Sequence, residues 1–79
     1  MERYFLHLVD GKFIRDDEGQ EFECLEAAKA EAVASARSLM RDAIWHGRLP
    51  LNESIQIADA QGQVLDTVAF RDVIKIEGN

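Results

Sequence analysis

LEAAKAEAVASARSLMRDAIWH, residues 25–46, decides the fold. Apolar residues recur three or four apart at Leu25, Ala28, Ala32, Ala36, Leu39 and Ala43. Val33, Met40 and Ile44 flank that line and widen it to a stripe of helical period. No Gly or Pro interrupts the run, and Ala is the strongest helix former. Glu26 and Glu31 come early, and Arg37, Arg41 and His46 late, the order a helix dipole favours. Gly47 is placed for a left-handed C-terminal cap, and Pro50 follows. The spacing predicts one helix over 25–46, roughly 33 Å long. Ala28, Ala32 and Ala36 keep its centre slim, which predicts close packing on the chain's own sheet.

Working outward, residues 3–9 (RYFLHLV) read as a strand with Tyr4, Leu6 and Leu8 on one face and Phe5, His7 and Val9 on the other. Asp10-Gly11 signals a type I′ hairpin, with residues 12–15 returning. Asp16, Asp17, Glu18, Glu21, Glu23 and Glu26 then put six acids in eleven residues. They lack the spacing of a calcium-binding loop and read as a solvated turn. Cys24 stands where a helix N-cap belongs and fills that role poorly.

Past the helix, residues 47–53 form the longest connection, with Leu49 and Leu51 expected to fold beneath it. Residues 54–59 alternate as a strand, Gly62 turns the chain, and residues 64–70 return. Val68 and Phe70 are expected inward, and Leu65, Thr67 and Ala69 outward. Residues 71–79 fit either a helical turn or a strand extension. The architecture expected is α+β: one domain, 1–79, built as ββαββ, with the helix on one face of a four-stranded antiparallel sheet.

The chain has 79 residues, 47% hydrophobic and 30% charged, and a net charge of −6. That balance fits a folded chain and disfavours nucleic acid, whose binding rests on Lys and Arg. No run is long enough to span a membrane, and the helix's polar face carries both signs, against a membrane surface. Met1 leads into a strand without the features of a signal peptide, and Cys24 is the sole cysteine. The expected setting is the cytoplasm.

No catalytic, metal or cofactor motif stands out. His7 reads as a cross-strand packing residue and His46 as a helix-terminal cation. One cysteine with two distant histidines is a poor zinc set. Arg41 and Trp45 are spaced to stack as a cation–π pair, and Trp45 could also anchor the 47–53 loop or meet a partner.

Two segments carry a resemblance. Residues 3–11 (RYFLHLVDG) and 59–70 (DAQGQVLDTVAF) resemble the opening and ending of a family of small bacterial proteins. Asp17-Glu18-Gly19 and residues 25–32 (LEAAKAEA) match its middle elements. This chain departs at Cys24, where Asp or Ser is commoner, and at Ala69, where Pro is frequent. The family is a domain of unknown function, so the resemblance implies a fold and a bacterial setting but no activity. A looser resemblance is to hic-type antitoxin domains, whose Pro-rich segment before the helix is absent here.

Three functions follow as expectations. The first is a non-catalytic interaction module, a homodimer whose interface candidates are Phe5, His7, Val9, Leu65, Ala69 and Trp45. Protonation of His7 would weaken such a dimer by placing charge in a desolvated contact. The second is an antitoxin-like or inhibitory protein that masks a basic partner, to which the negative charge is suited. The third is a small-ligand binder or enzyme using His7.

Overall fold

The computed structural model describes residues 1–78; Asn79 lies outside them. Chain order is β1 (Glu2–Val9), β2 (Phe13–Ile14), β3 (Gln20–Phe22), α1 (Leu25–Trp45), β4 (Ser54–Ala58) and β5 (Val64–Ala69), then a 3₁₀ turn at Phe70–Asp72. All pairings are antiparallel, and the main order is β2-β1-β4-β5. β3 pairs with β1 through Glu2↔Phe22, Arg3↔Glu21 and Tyr4↔Gln20. The fold is thus the expected α+β arrangement with five strands rather than four. The fifth lies inside the acidic run that reads as a solvated turn. Phe22 explains it: its ring is buried 6.1 Å from that of Tyr4, so the segment must lie flat on the sheet.

Helix α1 buries Ala28, Ala32, Ala36, Met40 and Ala43. Leu39 and Ile44, expected in the stripe, are exposed, because the inward line passes through Met40 instead. The helix ends as its sequence predicts. Gly47 has φ +84°, its N–H donates to the Ile44 carbonyl, and the Arg48 N–H donates to that of Ala43. Those two bonds make a Schellman cap, and His46 Nδ1 lies 2.9 Å from the Asp42 carbonyl oxygen. Cys24 makes no side-chain cap bond and is exposed.

The core lies between α1 and the inner sheet face, where Phe70 and Ile57 are the largest fully buried side chains. Tyr4 is buried there, and Leu6 and Leu8 pack against it half-buried, as their alternation predicts. Val68 and Phe70 also point inward as expected. Asp66, on the same face opposite Ile57, is held by Lys29 of α1 at 3.2 Å. The tail opens on the helical-turn alternative at Phe70–Asp72 and has no regular structure over residues 75–78; Arg37 Nε anchors it by donating to the Val73 carbonyl at 2.8 Å. Leu49 is exposed rather than folded beneath its loop, while Leu51 is half-buried. Among the described residues no helix is long and apolar enough to cross a membrane.

Two local register features reshape the outer face. The β1–β2 connection is not type I′, which needs positive φ at both central residues: Gly11 has φ +91°, but Asp10 does not. Val9 instead faces Phe13 across a three-residue loop. A two-residue loop would have set Val9 opposite Lys12; the extra residue flips β2 and sends Phe13 to the outer face. In β5 a bulge lets Ala58 face Val64 while Ile57 faces Asp66. Val64 therefore takes the outer position in line with Phe5 and Ala58, the place expected for Leu65.

Candidate functional site

The outer sheet face carries no helix. Cross-strand pairing puts Phe5, His7 and Val9 of β1 in line with Ala58, Gln56 and Ser54 of β4, and these with Val64, Thr67 and Ala69 of β5. Phe5 and Val9 are half-buried and His7 is buried, whereas Phe13 is 55% and Val64 47% exposed. His7 is covered by aromatic neighbours: its ring stacks on Phe5 at 6.4 Å and 16°, and meets Phe13 at 5.0 Å and 51°. This is the cross-strand packing its strand position predicts. Shallow depressions flank His7, one bordered by Phe13, Gln56 and Val64, the other by Phe5 and Asp59, with Arg15 shared.

The polar part of the site is the loop between β2 and β3. Asp16 N–H donates to His7 Nδ1 at 3.0 Å. In return the Asp16 carboxylate accepts the Leu6 N–H on Oδ2 at 3.1 Å, and those of Glu18 and Gly19 on Oδ1 at 3.3 and 3.1 Å. The carboxylate thus substitutes for a strand where β2 and β3 part. Gly19 is required beside it: its φ is +69°, and a Cβ there would lie 2.8 Å from the Phe5 ring and 2.9 Å from the Tyr4 carbonyl oxygen. Arg3 Nη1 secures the loop by donating to the Glu18 carbonyl at 2.8 Å. The acidic run is therefore an ordered loop knotted on Asp16. The signal for it is an Asp with Gly three residues on, the spacing of an Asx-type turn.

Partial burial pushes the Asp16 carboxyl up, but the N–H groups of Gly19, Leu6 and Glu18, with His7 beside it, outweigh that and hold it below the ordinary carboxylate range. A depressed folded value adds stability at and above the unfolded value of about 3.9, and that stability is lost as pH falls through the lower folded value. Asp16→Ala should therefore cost about 1–3 kcal/mol in urea unfolding at neutral pH. The gap from wild type should narrow below about pH 3.9. An equal gap at neutral and strongly acid pH would show that the ionised carboxylate is not the acceptor.

Of the interface candidates, Phe5, His7, Val9 and Ala69 share the outer face. Leu65 lies at the bulge and borders a separate cleft with Glu2, Arg3 and Tyr4. Trp45 is remote from that face, at the end of α1, and 87% exposed. It does not anchor the 47–53 loop, and Arg41 turns to Asp42 and Ser38 instead of stacking on it. Phe13 and Val64, which alternation alone sends inward, are the outer face's most exposed apolar groups.

One helix on an antiparallel sheet, with a histidine–aspartate knot at the sheet's broken edge and an apolar face behind it, defines a small α+β domain. The chain belongs to the family described as Domain of unknown function (DUF6894), which matches residues 3–71, from the opening strand to the turn after the last. No curated protein and no solved structure matches it.

Proposed function

We propose that this protein is a non-catalytic interaction module that pairs with a second copy of itself through the outer face of its sheet. The observation that carries this is the exposure of Phe13 and Val64 beside half-buried Phe5 and Val9 on one uncovered surface. Grouped apolar exposure of this kind is a feature of interfaces.

Both sheet edges are poorly suited to pairing. On one side the Asp16 loop interrupts β2 and β3, and its carboxylate takes the Leu6 N–H. On the other, β5 is bulged and Asp66 Oδ1 takes the Thr67 N–H at 2.8 Å. Such devices blunt edges, which favours face-to-face pairing. Arg15 and Asp59 border the same depression beside His7, so a two-fold axis can set each Arg15 against the other copy's Asp59. Strand spacing and rise make the face on the order of 400 Å², below the ~800 Å² per partner of a standard interface, so the pair is of the weak, reversible kind.

In sedimentation equilibrium the weight-average mass should rise with concentration between about 10 μM and about 1 mM. Phe13→Glu should stay at monomer mass with its circular dichroism unchanged, because Phe13 is outside the core. A wild-type chain that is monomeric throughout that range would refute the reading, as would undiminished association in Phe13→Glu.

A further inference from the structure

We propose that the His7–Asp16 contact is an acid-released clamp on the middle of the β1 edge. A neutral imidazole accepts at one ring nitrogen and donates at the other. Because Nδ1 accepts the Asp16 N–H, the ring proton resides on Nε2. A protonated ring donates at both nitrogens and would set Nδ1–H against the Asp16 N–H, donor against donor.

The charged groups facing the ring are Asp16 and Arg15 from the loop, and Asp59 from the β4–β5 turn; Gln56 of β4 is neutral, and Phe5 and Phe13 supply only their rings. The new ring proton is drawn to the Asp16 carboxylate, whose two oxygens already hold three backbone N–H groups. The loop therefore has to exchange partners, freeing the N–H groups of Leu6, Glu18 and Gly19. Gly19 sits beside the Phe5 ring, close enough that a Cβ there would lie 2.8 Å from it, so a rearranged loop is felt at the outer face. Release bares an edge donor on β1 and shifts Arg15 and Phe5 together. The clamp stands on this geometry alone; its effect on pairing rests on the self-association proposed above.

Nuclear magnetic resonance of the whole chain tests it. At about pH 8 the His7 ring should be the Nε2–H tautomer. Between about pH 8 and about pH 5, exchange protection factors at Leu6 and Gly19 should fall about tenfold, the loss of roughly one hydrogen bond, while Ala36 in α1 keeps its protection. His7→Asn places a non-titrating amide oxygen near the Nδ1 position, and should hold that protection down to the carboxylate range. An Nδ1–H tautomer at about pH 8, or unchanged protection between that pH and about pH 5, would overturn the clamp, and wild-type spectra alone decide both. The same acid loss in His7→Asn would overturn it too. Light scattering in the same samples separates the two ideas: clamp release without a change of mass refutes only the link to pairing.

Discussion

Replacing Ala32 with Asp is expected to leave a chain with no cooperative thermal transition and little helical signal. Ala32 is fully buried at the centre of α1, between Ala28 and Ala36, which are also fully buried, so its methyl group has only other core atoms around it. A carboxylate there is desolvated with no cation in the core to meet it, at a cost of several kcal/mol. A domain of this size has about 5–10 kcal/mol of total stability. The loss is therefore comparable to the whole. Ala34→Asp, two residues on and exposed, is the control and should melt close to wild type. Similar melts for the two variants by circular dichroism would mean that the small-residue stripe does not face the sheet.

The second large effect is expected at Phe70. Its ring is fully buried, and its N–H donates to the Glu53 carbonyl at 2.9 Å, tying the end of β5 to the approach of β4. Arg71 reinforces that tie through Leu51 and Asn52. Phe70→Ala removes a fully buried aromatic ring and leaves a cavity, costing about 3–5 kcal/mol. In a domain of this length that lowers Tm by roughly 15 °C or more. Phe70→Leu keeps much of the volume and should lose clearly less, about 1–2 kcal/mol. Little loss in either variant would mean that Phe70 acts through its backbone tie, which both keep, and not through its ring.

Periodicity made the helix and the faces of β1 legible. Residues 25–46 bury one stripe of period 3.6, and Tyr4, Leu6 and Leu8 alternate against Phe5, His7 and Val9, so each pattern has one way to meet a core. The error within the stripe, Leu39 for Met40, is one step around the helix, and both residues are long and apolar. The C-terminal cap was readable because Gly47 has the backbone freedom that position requires. The family resemblance was legible in the same way, from ordered motifs at both ends of the chain.

The candidate face was only half legible. Phe5, His7 and Val9 follow from alternation, but Phe13 and Val64 reach the same surface through a three-residue loop and a bulge, each a shift of one residue. A strand's side chains have period two, so one extra residue exchanges its faces, and nothing in the composition of either strand records the insertion. The acidic run concealed more. Its charge implies solvation, yet Phe22 pulls three of its residues into the sheet and Asp16 reaches back across the chain to His7 and Leu6.

By itself the sequence determined the helix, its cap, the inner face of the first strand and the α+β class, because each depends on spacing within one segment. Tertiary structure alone decided that Phe13 and Val64 face outward on β2 and β5, and that Asp16 and His7 share a hydrogen bond. Those outcomes depend on how separate segments pair, and pairing is set by loop closure and core packing, to which the local pattern of either strand is indifferent.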